Sequence, residues 1–228
     1  MLKIIEYKIT LPFNTVFSKS PKFLLIKEIY KKIKRSSCII DSLCKDCDKK
    51  DSCIYYFLSG ENFNHSEGIC VEMGPFEKTV FLAKDSFNVK FYLLGTATIY
   101  ESFITEYFKH TEYLEGNYFQ KKLIQENEID IKLLTGKYEI LIQDSYFNYQ
   151  DELIYLYNKY NLEIDLNGKI NIIESKPITD YNKYYINGRS LKYRGFKGII
   201  ELENIPSFIL NIGMGNRMII SGGKISEN

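Results

Sequence analysis

The chain has 228 residues, of which 45% are hydrophobic and 26% are charged. This composition is globular and allows one large or two small domains, and no apolar run is long enough to cross a bilayer. The net charge of +1 hides an asymmetry, because residues 1–37 carry a net +7 and residues 181–228 a net +4 around an acidic middle. Basic ends favour a phosphate-rich partner, although clustered surface charge gives the same pattern.

The first elements are a strand and a basic helix. Residues 2–11 alternate like a strand and lack the layout of a signal peptide, so we expect a cytoplasmic protein with reduced thiols. Residues 22–35 repeat apolar side chains at helical spacing and predict an amphipathic helix. The other face of this helix carries Lys22, Lys27, Lys31, Lys32, Lys34 and Arg35.

Four cysteines follow this helix at the spacing C-x5-C-x2-C-x5-C. They are Cys38, Cys44, Cys47 and Cys53. The central pair lets two thiolates reach one ion and the outer pair closes a tetrahedron, which predicts structural zinc; an iron–sulfur cluster would accept the same ligands. The alternatives are buried free thiols and disulfides, and disulfides require an oxidising compartment. Cys70 stands apart and is expected to be a buried thiol.

The remaining elements predict an α+β protein with antiparallel sheets and helices on one face. The first half continues with strands at 78–83 and 88–95 and a helix at 99–113. The second half has strands near 136–143, 161–166, 168–174 and 196–202, a helix near 148–160 and a short element at 207–212. The two halves have a similar order, and a loose boundary near Gly116 divides them into domains 1–115 and 116–228.

The C-terminal region combines glycines with basic side chains. Its glycines are Gly213, Gly215, Gly222 and Gly223, with Arg217 and Lys224 among them. Glycines let a backbone approach phosphates and expose N–H donors, and the basic side chains add charge-assisted contacts. Most glycine-rich stretches are turns, and this one is not a Walker loop because G-x4-G-K-[ST] is missing.

Three pieces together resemble a known family. They are the helix that runs into the cysteine segment ending in Cys53-Ile54-Tyr55, the FYLLGTAT segment 91–98 and the GFKG strand before the glycine-rich tail. In this order they are similar to the CRISPR-associated precursor-RNA processing endoribonucleases of the RAMP superfamily, the sixth numbered Cas family. The cysteine-bearing branch is the most similar.

The resemblance implies tandem ferredoxin-like (RAMP/RRM-like) domains, with the cysteine knuckle 38–53 inserted in the first and the glycine-rich loop in the second. It also implies binding of CRISPR repeat RNA and cleavage that needs no metal. In the reaction that the resemblance implies, the ribose 2′-OH attacks the phosphate, which leaves a 2′,3′-cyclic phosphate and a 5′-OH. The zinc would be structural, since four thiolates leave no open position for water.

The catalytic residues depart from the family pattern, because many members carry a histidine on or just after the first helix and this helix has none. His65 is one candidate for the general base, and Tyr30 with Lys34 is another, with Lys31 beside them. The alternative is that Lys31 and Lys34 are ordinary solvated side chains and that Tyr30 lies at the edge of the apolar stripe. His110 is expected to be a core or surface histidine.

The expected RNA contacts lie on the helix and in the basic C-terminal region. They are Lys31, Arg35, Arg189, Lys192, Arg194, Gly213, Gly215, Arg217, Gly222, Gly223 and Lys224. Ser221-Gly222-Gly223 stands where the family has two glycines separated by one residue, which weakens that part of the resemblance. Tyr193 could stack on an unpaired base.

Three functions follow from these features. The first is a repeat-RNA endoribonuclease that needs no catalytic cofactor, and the second is a noncatalytic RNA-binding subunit of a CRISPR effector complex, whose subunits would be further partners. The third is a zinc-stabilised protein-interaction module unrelated to RNA. None of the three involves a membrane.

Overall fold

The structure is a computed structural model that describes residues 1–37, 47–48, 69–73, 78–140, 167–178, 183–186, 189–192, 195–213 and 225–227. Its described residues divide into two compact units, one between residues 2 and 129 and the other from residue 130 onward. The sheets of both units are antiparallel, as predicted for an α+β protein. No helix in the described ranges is long and apolar enough to span a membrane.

The first unit is built around a four-stranded sheet, with two-stranded pairs and helices beside it. Its strands are β1 Leu2–Thr10, β2 Thr15–Val16, β3 Ile69–Met73, β4 Val80–Phe81, β5 Ser86–Leu94, β6 Tyr113–Leu114, β7 Asn117–Tyr118 and β8 Gln120–Ile129. Its helices are α1 Pro21–Ser37, a 3-10 helix Gly95–Tyr100 and α2 Glu101–His110. The main sheet has the order β3-β5-β1-β8, while β2 pairs with β4 and β6 pairs with β7.

The core of the first unit lies between the sheet and α2. On β1, Tyr7 stacks on Phe108 of α2 with ring centroids 4.1 Å apart. Phe91 of β5 meets the same Phe108 edge-on at 5.9 Å. Ile104, one turn before Phe108 on the same face of α2, is also buried. Helical spacing therefore places one apolar stripe of α2 over alternate residues of the central strands.

The second unit is a second four-stranded sheet. Its elements are β9 Leu133–Ile140, β10 Lys169–Ile178, β11 Lys183–Ile186, β12 Arg189–Lys192, β13 Gly195–Pro206, α3 Phe208–Ile212 and β14 Ile225–Glu227. The sheet order is β10-β13-β9-β14, and β11 pairs with β12 in a separate ribbon. The buried side chains come mainly from the second half of β13 and from α3, including Leu202, Ile205, Phe208 and Ile209.

The longer predicted elements are largely confirmed, but the sequence did not predict β2, β3, β6, β7, β8, β11, β12 or β14. The structure has β1 and α1 where the sequence predicts them, and the element at 207–212 is a helix. The predicted helix at 99–113 is shorter, because a 3-10 helix precedes α2 and α2 ends at His110. The predicted helix near 148–160 and the strand near 161–166 lie outside the described residues.

Among the strands that were not predicted, β8 moves the boundary between the units. β8 pairs with β1 along its length, so the first unit continues to Ile129 instead of ending at residue 115. Most side chains of β8 are exposed, and the adjacent Leu123 and Ile124 stand at a register shift. Such a polar strand lacks the period-two pattern by which the others were predicted.

Candidate nucleic-acid interface

Helix α1 carries six basic side chains that were predicted to face solvent, but not all of them do so. Lys22 is buried with 1% of its surface exposed, which corrects its predicted place on the solvated face. Lys27 and Lys31 are exposed. The Lys31 ammonium lies 2.6 Å from Glu28 Oε1 in a surface ion pair. Such pairs are weak, so Lys31 remains able to exchange Glu28 for a phosphate.

Lys32 points toward the neighbouring helix. Its ammonium donates to the Glu106 carbonyl oxygen at 3.4 Å and lies 5.5 Å from the centre of the Tyr107 ring. Both partners belong to α2. Lys32 therefore contributes to the packing of α1 against α2.

The start of α1 is tied to the turn between β6 and β7. The Ser18 backbone N–H donates to Glu115 Oε2 at 2.7 Å, and the Ser18 hydroxyl also contacts this carboxylate. These hydrogen bonds, together with the charges of Lys27 and Lys19, lower the pKa of Glu115. The carboxylate therefore stays ionised and fixes the loop that leads into the helix.

Two catalytic candidates lie on α1. Tyr30 and Lys34 are four residues apart in the helix, so their backbone positions are adjacent on one face, and Arg35 follows Lys34. The third candidate, His65, lies outside the described residues. His110 is exposed at the end of α2, with Nε2 3.0 Å from Glu106 Oε2, so of the two predicted alternatives, a core or a surface histidine, it is the surface one.

The cysteine segment begins where α1 ends, at Ser37. Cys47 is a partly exposed free thiol, while Cys38, Cys44 and Cys53 lie outside the described residues. Within the described ranges, no three His, Cys, Asp or Glu side chains are placed to hold a metal ion. Cys70 is a buried thiol on β3, as predicted.

The FYLLGTAT segment forms the end of the central strand and the turn after it. Leu93 and Leu94 are fully buried at the end of β5. Gly95 then adopts φ 53°, a left-handed conformation that glycine enters at little cost, and starts the 3-10 helix. Ala97 is buried within that helix. The segment therefore redirects the chain from the sheet toward α2.

The GFKG segment opens β13, where Gly198 lies against the backbone of β10. A β-carbon at this position would lie 2.8 Å from the Glu174 carbonyl carbon and 2.9 Å from Ser175 Cα. Only glycine fits this approach. Two of the three pieces that carry the family resemblance thus have structural roles in the described residues.

The glycine-rich tail starts at a helix end. Gly213 is buried at the C-terminus of α3 with φ 75°, and its N–H donates to the Ile209 carbonyl oxygen at 2.8 Å. This is the usual role of a glycine at the end of a helix. Gly213 was predicted to contact RNA, but its N–H already donates to the Ile209 carbonyl oxygen. The other predicted residues of the tail lie outside the described residues: Gly215, Arg217, Gly222, Gly223 and Lys224.

The predicted contacts Arg189 and Lys192 lie on the β11–β12 ribbon. Lys192 is directly opposite Lys183, and Arg189 is opposite Ile186. Lys183 was not singled out in the sequence, and only the pairing register brings it next to Lys192. Arg194 and Tyr193 lie outside the described residues.

No protein-family model matches the chain, and no curated protein matches it. Solved structures do match along the whole length. One is described as a RAMP protein binding different RNA substrates; it has a TM-score of 0.51 and 11% identity, and the match covers 99% of both chains. Another comes from a characterisation of a Cas6-related gene from Pyrococcus furiosus, with a TM-score of 0.53, 12% identity and coverage of 99% of this chain and 98% of that one. The predicted resemblance is therefore confirmed in the fold, which is that of RAMP proteins.

Proposed function

We propose that the protein is an endoribonuclease, on the premise of its RAMP fold. It would cleave CRISPR repeat RNA in precursor transcripts to give guide RNAs. The observation that carries the proposal is the match of 99% of the chain to a RAMP protein whose structure is described as binding RNA. The order of the three family-like segments and the basic helix α1 support it. The proposed architecture is two ferredoxin-like domains in tandem.

The reaction requires three groups and no catalytic metal. A base accepts the proton of the 2′-OH, an acid protonates the departing 5′-oxygen and a cation stabilises the charge of the phosphorane. Tyr30 and Lys34 are adjacent on α1, so one RNA phosphate can contact both. We assign Tyr30 to orienting the 2′-OH and Lys34 to the developing charge. His65 is the candidate for proton transfer, since imidazole titrates near neutral pH.

The proposed zinc site is structural. Helix α1 ends at Ser37, so the first cysteine ligand would follow the helix directly. Four thiolates would close the coordination shell, and the metal would fix the end of the helix that carries Tyr30 and Lys34. The metal would therefore contribute to the free energy of folding of this segment.

RNA binding is proposed to combine two basic surfaces. Lys31 and Arg35 supply phosphate contacts on α1, and Arg189 and Lys192 supply them on the β11–β12 ribbon. Arg194, Arg217 and Lys224 add charge around the glycine-rich tail, where Gly215, Gly222 and Gly223 offer backbone N–H donors. Phosphate contacts position the RNA, and unpaired bases supply the sequence specificity.

A noncatalytic RNA-binding subunit of an effector complex is the second candidate. The absence of any histidine from the α1 sequence favours it. It requires the same fold and the same basic surfaces, and it differs only in the chemistry.

Incubation of the protein with labelled repeat RNA in EDTA tests the proposal. The endoribonuclease gives a single cut at enzyme excess, and the noncatalytic subunit binds the same RNA without cutting it. Binding should weaken steeply with salt, because each phosphate contact releases counterions. A protein that neither cuts the RNA nor binds it in a salt-dependent way would overturn both candidates.

A further inference from the structure

The β6–β7 hairpin carries a pair of tyrosines, of which Tyr113 faces solvent. Tyr113 and Tyr118 are direct cross-strand partners, and their ring centroids are 5.6 Å apart at an interplanar angle of 62°. Tyr113 is 61% exposed, whereas its neighbour Leu114 is buried, as is Phe119 beside Tyr118. The hairpin thus packs one side into the first unit and holds the Tyr113 ring outside it, edge to face with Tyr118.

Ammonium groups lie near both ends of the hairpin. At the turn, the charges of Lys27 and Lys19 act on Glu115, whose carboxylate is already bound to Ser18. At the open end, the Lys121 ammonium donates to the Thr111 carbonyl oxygen at 2.8 Å. An exposed aromatic ring on a hairpin with lysines near its two ends has the composition of a surface that binds single-stranded nucleic acid.

We propose that Tyr113 stacks on an unpaired base of single-stranded RNA, with Tyr118 holding its ring in place and Lys27 and Lys121 near the flanking phosphates. The proposal rests on the RNA binding of the proposed function and adds a site that the sequence did not indicate. Stacking uses the face of the ring and no hydrogen-bond pattern, so this site accepts any base. It therefore helps to hold the strand and does not select its sequence.

The chain offers a direct test because it contains no tryptophan. In Tyr113→Trp the single indole replaces the exposed ring, and stacking on a base quenches its fluorescence. Ile99→Trp is the matched control, because Ile99 is 59% exposed in the same unit and precedes α2, whereas the hairpin follows α2. We expect single-stranded oligouridylate to quench the indole of Tyr113→Trp strongly and to leave that of Ile99→Trp nearly unchanged.

Affinity supplies the second readout. Tyr113→Ala should weaken oligouridylate binding about tenfold, since one base stack accounts for that order of affinity, while Tyr113→Phe keeps the ring and should bind like the wild type. RNA binding that leaves the indole of Tyr113→Trp unquenched, or that is unchanged in Tyr113→Ala, would overturn this site and leave the proposed function standing. An indole at this position that responds only to a protein partner would also overturn it, and failure of the wild type to bind RNA would overturn both.

Discussion

Gly198 of β13 and Glu174 of β10 approach each other so closely that no side chain fits between their backbones. The pairing register shifts between Ile172 and Glu174, one step along the same ladder. The glycine of the GFKG segment therefore permits an irregular but close strand pairing. Strand geometry is therefore sufficient to explain a glycine at this position of the family-like motif.

Gly198→Ala should accordingly destabilise the second unit. The methyl group meets backbone atoms that cannot rotate away, so we expect a loss of about 3 kcal/mol in the free energy of unfolding, at the upper end for overpacking. Gly116→Ala is the control, because nothing lies within 4 Å of its β-carbon position and only the φ of 77° opposes it. That strain costs about 1 kcal/mol. Urea unfolding compares the two, and equal losses would contradict the steric explanation.

Lys3 should stabilise the first unit through its carboxylate partners. Its ammonium lies 2.5 Å from Glu101 Oε1 and 3.5 Å from Glu126 Oε1, with only 13% of the side chain exposed. Burial opposes the charge, but the two carboxylates outweigh it and raise the pKa of Lys3. Lys3→Met leaves Glu101 without its cation and should cost about 1–2 kcal/mol, less than a fully buried pair because Glu101 is partly exposed.

Lys8→Met on the same strand is the matched control for Lys3→Met. Lys8 is exposed and, within the described residues, forms no ion pair. Its replacement should change the free energy of unfolding by less than about 0.5 kcal/mol. Similar losses in the two variants would show that the carboxylates contribute nothing specific.

Tyr107 gives a prediction with a pH dependence. Its ring is buried, and its hydroxyl has no hydrogen-bond partner among the described residues. Tyr107→Phe removes this unsatisfied group and should leave the protein as stable or about 1 kcal/mol more stable at neutral pH. Thermal unfolding measures this change, and a large loss of stability would mean that the hydroxyl has a partner.

The sign of the pH effect follows from the same burial. Burial, with the charge of Glu28, raises the pKa of Tyr107 above the value of about 10 in an unfolded chain. The stabilisation from this group is therefore complete below pH 10 and is lost as the pH rises beyond it. Between pH 10 and 12, the wild type should lose stability more steeply than Tyr107→Phe, and parallel curves would contradict the prediction.

The cysteine segment predicts one bound zinc ion for each chain. Metal analysis of the purified protein should find it, and Cys44→Ser or Cys47→Ser should lose it together with stability. Cys70→Ser is the control, because Cys70 is buried on β3 and should not affect the zinc content. An iron–sulfur cluster would show visible absorbance instead, and a wild type that contains neither zinc nor iron would refute the site.

The sequence predicted the fold better than it predicted the site, for reasons visible in particular residues. Apolar periodicity located β1 and α1, because burial in the core determines both. It missed β8, whose side chains are mostly solvated, so only pairing with β1 defines the strand. It also misassigned Lys22, since helical spacing shows which residues share a face but not where a neighbouring element covers it.

The site depends on contacts that spacing does not encode. The exposed Tyr113 could not be distinguished among 19 tyrosines. The partner of the Gly213 N–H became evident only with the end of α3. Lys183 and Lys192 are nine residues apart in the sequence, and the β11–β12 register makes them neighbours.

Variants of the catalytic candidates separate chemistry from binding. Tyr30→Phe, Lys34→Ala and His65→Ala should each reduce single-turnover cleavage, with the true general base costing about 10²–10⁴-fold. RNA affinity should change far less than the rate. His110→Ala is the control, because His110 is exposed on α2 and pairs with Glu106. A variant series in which only His110→Ala lost activity would contradict the assignment.

End-group analysis of labelled repeat RNA after incubation with the protein in EDTA tests the central claim most directly. The account predicts one cut that leaves a 2′,3′-cyclic phosphate and a 5′-OH, and a 2′-deoxy substitution at the cleaved nucleotide should abolish that cut without preventing binding. A cut that survives the 2′-deoxy substitution, or RNA that stays intact while bound to excess protein, would contradict it.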